Sequence, residues 1–261
     1  MSQRWTLITG ASSGIGREMA RLFAADGDAL VLVARRGERL DELRTEIEAA
    51  HHVPVRVVAL DLEQPDARAA LVADLDRVGI AVHTLVNNAG FGLRGAFVTL
   101  PLERQMAMIE LNISALTDLT RRLLPDMLMR RAGGVLNVAS VASFQAGPFM
   151  AVYYATKAYV LSLSEALHEE CKGSGVTISA LCPGPVATEF AAIAGLQDTR
   201  MFTTGAADAA EVARQGHAAY RAGKPVAVPS RLFRTSIFLQ RFVPRSVTRA
   251  VAGRVQRRRG A

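Results

Sequence analysis

The chain has 261 residues, half of them apolar, which is enough for one large α/β domain without requiring a second. Its only cysteines, Cys171 and Cys182, exclude a disulfide framework and suit a reducing compartment, so a cytoplasmic location is expected. The net charge of +7 is unevenly spread: residues 212–261 hold 12 Arg and Lys and no Asp or Glu, leaving 19 basic against 24 acidic residues before them.

No long apolar run precedes Gly10, so no secretory leader is expected. No uninterrupted apolar stretch of about 18 residues is present, so no spanning helix is expected. Short apolar runs then alternate with longer helical patterns. The strand candidates are Trp5–Thr9, Ala29–Ala34, Val55–Leu60, Thr84–Asn87, Val135–Ala139, Val176–Leu181 and a short Val226–Val228. Nearly continuous apolar strands are what a parallel sheet covered on both faces requires. Helical patterns fall at Gly16–Asp26, Gly37–Ala50, Asp66–Val78, Leu102–Arg131 (with a break) and Ala151–Lys172. Strand–helix alternation implies right-handed crossovers and a doubly wound α/β sheet. One domain over residues 1–229 and a basic amphipathic extension over 230–261 are expected.

The first strand runs into Thr9-Gly10-Ala11-Ser12-Ser13-Gly14-Ile15-Gly16, where a helix begins. Gly10 permits a tight turn, Gly14 a close approach to a pyrophosphate, and Gly16 close helix–sheet packing. Ser12, Ser13, Ile15 and the helix start then face the phosphates. About 20 residues past the loop, an NAD site carries an acid for the ribose 2′-hydroxyl. Here Ala34 takes that place, followed by Arg35 and Arg36, and two guanidiniums without a carboxylate are expected there, which suits the 2′-phosphate of NADP(H). Asp61 and Leu62, after the third strand, are placed at the adenine. Asn88, Ala89 and Gly90, after the fourth, are placed at the adenosine ribose, whereas Asn87 is expected to tie strands together.

Ser140 precedes Tyr153 by thirteen residues, and Lys157 lies one helical turn beyond Tyr153. A nearby ammonium favours phenolate, so Lys157 is expected to draw the phenol below its usual value of about 10. Tyr153 can then exchange a proton with an alcohol oxygen that Ser140 also holds. Tyr154 reads as a packing residue and Ser143 as a turn residue bonding backbone. No metal-ligand spacing is present, so no metal is expected.

The glycine loop, Asn87-Asn88-Ala89-Gly90, Asn112, Ser140, Tyr153-Tyr154-Ala155-Thr156-Lys157 and Pro183-Gly184-Pro185-Val186-Ala187-Thr188 occur in one order over residues 5 to about 190. Together they resemble the short-chain dehydrogenase/reductase family. The resemblance implies a single Rossmann-type domain with a parallel sheet of about seven strands. It gives Tyr153 the general acid/base role, Lys157 the nicotinamide ribose, Ser140 the substrate oxygen and Asn112 a proton relay. It places Pro183, Gly184, Val186 and Thr188 at the cofactor. It implies a homodimer or homotetramer paired through the helices of Asn112 and Tyr153, and a substrate lid over about 188–204.

The lid is rich in small and apolar residues, including Phe190, Ile193, Leu196, Met201 and Phe202. Phe91, Leu93, Phe144, Phe149 and Met150 are candidates for the same cleft. No charged residue stands out as partner for an acidic substrate group, so a hydrophobic ketone or aldehyde reduced by NADPH is expected. An oxidative alcohol or hydroxysteroid dehydrogenase and a non-catalytic NADPH-binding scaffold stay open as alternatives.

In the extension, Leu232, Phe233, Ile237, Phe238, Leu239, Phe242 and Val243 interleave with Arg231, Arg234 and Arg241. Pro244 ends that helix; Ser246–Val255 and Arg257-Arg258-Arg259 follow. The extension resembles that of some bacterial long-chain oxoacyl-type reductases. A packing helix with a solvated end, a peripheral membrane contact and a dock for an acidic partner such as an acyl carrier or acyl-CoA stay open. Nucleic acid is not expected, since no base-reading module is visible.

Overall fold

The structure, a computed structural model, describes residues 3–197 and 205–256. Met201, Phe202, the rest of 198–204 and Arg257–Arg259 lie outside the described residues.

Seven parallel strands form the sheet: β1 (Trp5–Thr9), β2 (Ala29–Ala34), β3 (Val55–Ala59), β4 (Val82–Asn87), β5 (Gly133–Val138), β6 (Val176–Leu181) and β7 (Val226–Ala227). Their order is β3-β2-β1-β4-β5-β6-β7. Side chains alternate across a strand, so each strand feeds two cores. Ile8, Leu30, Leu32 and Leu136 face one layer, while Leu7, Val31, Val33 and Leu85 face the other.

Around the sheet lie α1 (Gly14–Ala25), α2 (Gly37–His51), α3 (Pro65–Arg77), α4 (Leu102–Ile109), α5 (Leu116–Arg130), α6 (Ala151–Glu170), the short α7 (Phe190–Ile193) and α8 (Ala209–Arg221). In α1 the buried residues are Gly16, Met19, Ala20, Phe23 and Ala24, one stripe at helical spacing. Proline opens α3, where its missing N–H costs nothing. The expected break in the Leu102–Arg131 helix is a π-turn, Glu110–Ala115, joining α4 to α5. Buried Arg68 of α3 secures that turn, donating to Glu110 at 2.8 Å and Asp118 at 3.1 Å. A further donation to the Leu62 carbonyl at 3.0 Å fixes the adjoining loop.

The sequence reading lacks α8, although its signature is there. Asp208 caps the helix by accepting from the Glu211 N–H at 3.1 Å, an Asp-x-x-Glu start. The extension forms α9 (Arg231–Gln240) and α10 (Arg245–Gln256), on either side of Pro244. Among the described residues, no helix is long and apolar enough to cross a membrane.

Candidate active site

β1 and β4 are neighbours, and the chain winds away from them in opposite directions. Such a switch point leaves a crevice beyond the carboxyl ends of the strands. A cleft of about 410 Å³ opens there, walled by the segments that follow β1, β2, β4, β5 and β6.

At one end is the glycine loop. Gly14 has φ +54°, and a Cβ there would lie 2.8 Å from the Thr188 Cγ2, so only glycine fits. A Cβ on Gly16 would strike the Gly10 carbonyl and the Asn88 amide. No side chain caps α1, so its first N–H groups remain available to an anion. Asn88 lines the cleft as expected, and its side chain braces the loop. It donates to the Thr9 carbonyl at 2.9 Å and the Gly10 carbonyl at 3.1 Å, holding the loop in place. Asn87 ties strands as expected, donating to Asn137 at 2.9 Å and Thr120 at 3.0 Å.

Gly10, Ser12, Ser13, Ile15, Arg35, Arg36, Asp61, Leu62, Ala89, Gly90, Pro183, Gly184 and Val186 all line the cleft. The expectation of arginines without a carboxylate is corrected. Arg36 donates to Ser12 and Ser13 at 3.0 and 3.1 Å and pairs with Glu189 at 2.8 Å. Arg39, which the sequence reading leaves out, pairs with the same carboxylate. The two guanidiniums hold the Glu189 carboxyl below the usual range. Arg35 stands 3.5 Å from Glu63.

At the middle of the cleft, α6 presents Tyr153 and Lys157 on one face, beside Ser140 at the end of β5. Ser140 is in extended conformation and its hydroxyl accepts from the Ala142 N–H at 3.1 Å. Burial pushes the Tyr153 phenol up, and a hydrogen bond with Ser140 pulls it back in part. The phenol therefore sits above its usual value, not below it as the Tyr153–Lys157 spacing suggests. The Lys157 Nζ donates to the Val138 carbonyl at 2.7 Å, and burial lowers its pKa to about 8. Tyr154 packs edge-on to Tyr153, with ring centroids 6.1 Å apart. Ser143 bonds backbone as expected, donating to the Lys157 carbonyl at 2.7 Å.

Asn112 sits in the π-turn and is buried outside the cleft lining. Its amide donates to the Phe91 carbonyl and to Thr156, both at 3.0 Å, and its carbonyl accepts from the Phe91 N–H at 3.1 Å. The side chain therefore fastens the segment after β4 to α6.

At the far end, Phe91, Phe190 and Ile193 line the cleft together with Met150, Tyr154 and Leu196. Three substrate candidates do not. Leu93 packs beside the Phe91–Met108 cluster, and Phe144 packs against the cluster of Val160 and Leu161. Phe149 is held in left-handed backbone, φ 65°, its carbonyl accepting from Gly95 at 2.8 Å. Arg104 is the charged lining residue that the sequence reading misses; its guanidinium lies 4.6 Å from the centre of the Phe91 ring. Among the described residues, no group of His, Cys, Asp or Glu could hold a metal ion.

An open helix start at the switch point, within one cleft of a buried phenol and its hydroxyl partner, belongs to the nicotinamide-dependent oxidoreductases. More closely, the chain is a member of the short-chain dehydrogenase family: the family model matches residues 4–198. It is similar to the sulfoacetaldehyde reductase of Chromohalobacter salexigens, with 39% identity over 191 residues, 70% of this chain and 72% of that protein. Among solved structures it is similar to a short-chain dehydrogenase from Sphingobium yanoikuyae in complex with NADPH. That match has a TM-score of 0.83 and 32% identity, covering 94% of this chain and 95% of the other. It is similar also to a short-chain dehydrogenase/reductase from Burkholderia phymatum in complex with NAD. There the TM-score is 0.84 and the identity 27%, over 95% and 96% of the two chains. The protein is thus an oxidoreductase of carbonyl and alcohol groups that binds a nicotinamide coenzyme.

Proposed function

We propose that the protein reduces a hydrophobic ketone or aldehyde to an alcohol with NADPH as reductant. The observation that carries this reading is the trio of Tyr153, Ser140 and Lys157 in one cleft with Arg36. The residues present fit NADP(H): two serine hydroxyls and two guanidiniums surround a spot where the Glu189 carboxylate already resides as an internal anion. Arg35, Arg36 and Arg39 hold the 2′-phosphate in this reading. The N-terminus of α1 holds the pyrophosphate, and Asp61 and Leu62 flank the adenine.

When bound, the reduced nicotinamide supplies hydride to the carbonyl carbon. Tyr153 keeps its proton at Oη, because burial disfavours phenolate, and donates it to the carbonyl oxygen. Ser140 steadies the same oxygen as charge develops on it. Lys157, anchored on the Val138 carbonyl, places a positive charge beside the ionising phenol. The protonated phenol is the form from which the reductive step begins. Phe91, Met150, Phe190 and Ile193 support an apolar substrate.

The catalytic domain in this reading covers residues 1–229, with a substrate lid from about 188. Exposed Leu128, Met129 and Tyr159 on α5 and α6 support a homodimer or homotetramer, which solution mass tests. The function is tested by following NADPH and NADH oxidation over a panel of apolar and polar carbonyls. Faster turnover of apolar ketones with NADPH is expected. Preference for NADH overturns the coenzyme assignment, and coenzyme binding without turnover on any compound favours a scaffold.

A further inference from the structure

We propose that α9 and α10 form a seat for an anionic lipid bilayer, holding the mouth of the cleft against the membrane surface. The inference rests on the surface of the two helices and is independent of the catalytic reading.

The inward residues of α9 are Phe233, Ile237 and Gln240, one narrow stripe. Phe233 covers Gly184, where a Cβ would lie 2.5 Å from its ring. In α10 the inward residues are Thr248, Ala252 and Gly253, and Gly253 lies against Pro148. The remaining residues of 231–240 and 245–254 are exposed. Leu232 is 75% exposed, Phe238 56% and Phe242 74%, and Leu239, Val247 and Val251 are exposed beside them. The Phe238 and Phe242 rings touch edge to face, 5.6 Å apart, as one wedge.

The same outward surface carries Arg231, Arg234, Arg241, Arg245, Arg249 and Arg254, all exposed. No ion pair among the described residues involves any of them, and residues 212–261 contain no acid. By helical spacing, Arg231, Arg234 and Phe238 lie on one side of α9. A surface that mixes apolar wedges with uncompensated guanidiniums matches a bilayer of anionic headgroups over acyl chains, which satisfies both at once. A second copy of the chain is a poor match. Its other exposed apolar patches, Phe97 to Met106 and Leu128 to Met129, carry Arg104, Arg130 and Arg131 beside the acids Glu103 and Asp126, too few carboxylates for six guanidiniums.

The seat adjoins the site. Phe233 rests on the Gly184 segment that lines the cleft. Arg245 closes a second cavity of about 460 Å³ with Tyr154 and residues 143–148. Docking through the outward face therefore leaves the inward contacts undisturbed and brings lipid close to the substrate end.

The test uses the full chain and co-sedimentation with vesicles of phosphatidylglycerol mixed with phosphatidylcholine, against phosphatidylcholine alone. Binding to the anionic vesicles only is expected, falling as salt shortens the screening length from about 10 Å at 0.1 M to about 3 Å at 1 M. The pair Phe238→Glu and Phe242→Glu should lower partitioning at least about tenfold, and Arg234→Gln or Arg241→Gln about fivefold each. NADPH binding by these exposed variants should stay at the parent level, which separates loss of docking from loss of fold. Absence of binding to either vesicle, or equal binding by parent and Phe variants, overturns the proposal. A dimer that the Phe variants dissociate, without vesicle binding, overturns it in favour of a second copy.

Discussion

At the glycine-loop end of the cleft, polar groups are locked to backbone. Asn88 holds the Thr9 and Gly10 carbonyls, and the Thr9 hydroxyl accepts from the Asn88 and Ala89 N–H groups. At the other end, the wall is made by Phe91, Met150, Phe190 and Ile193, with the Phe190 ring 5.4 Å from that of Tyr153. Hydrogen bonds weaken steeply with misalignment, whereas apolar contact is almost indifferent to direction. One end therefore admits a single geometry, and the other can accept varied shapes. The reacting groups lie between, with Tyr153 and Lys157 on α6 tied through Thr156 to Asn112.

The largest expected effect comes from removing the group where the two ends meet. Tyr153→Phe should lower turnover by about a thousandfold while coenzyme titration stays nearly unchanged. Tyr154→Phe should keep most of the activity, and a reversed pair of results would exchange their roles. Next, Arg36→Ala strikes the directional end. Losing charge-assisted bonds of about 1.5–3 kcal/mol should weaken NADPH roughly 10- to 150-fold in a fluorescence titration, with little effect on NADH.

Phe190→Ala strikes the apolar end and should raise KM for bulky ketones about tenfold, with coenzyme affinity retained. A pH profile examines the middle. Burial places the Lys157 ammonium at about 8, so it is charged below that pH and neutral above it. Reduction rates should fall on the alkaline side, at most about tenfold per pH unit, because a neutral amine no longer favours the ionising phenol. The smallest effect is at Glu189. Its pairs with Arg36 and Arg39 are partly exposed, where such bridges are worth about 0.2–1 kcal/mol. Glu189→Gln should tighten NADPH by only about two- to fivefold, and a looser complex would show that the carboxylate helps to shape the phosphate site.

The strands could be read from the chain because continuous apolar runs such as Ala29–Ala34 have one use in a doubly covered sheet. The trio on β5 and α6 was readable for a similar reason, since spacing along one helix fixes a shared face. What was not readable depended on contacts between distant segments. Glu189 meets Arg39 across 150 residues, and Asn88 meets Gly10 across 78. No local pattern marks an amide that braces a neighbouring loop over one that faces a ribose. Leu93 and Phe144 have the composition of a substrate wall but not its position, since each packs against a core cluster. Arg104 went unnoticed because an arginine near a helix start carries no motif. In contrast, Asp208 and Glu211 mark the start of α8 locally, as an N-cap and its partner three residues on.

The segment that begins at Thr188 leaves and rejoins the body of the protein at one clasp. Val186 bridges Ala207 in parallel, with Ala187 N–H to the Ala207 carbonyl and Ala207 N–H to the Pro185 carbonyl, both at 2.9 Å. With its ends already together, the intervening stretch can be lengthened at little entropic cost, since closure entropy grows only slowly with loop size. A change of length between the two ends of that clasp therefore leaves the sheet beneath untouched.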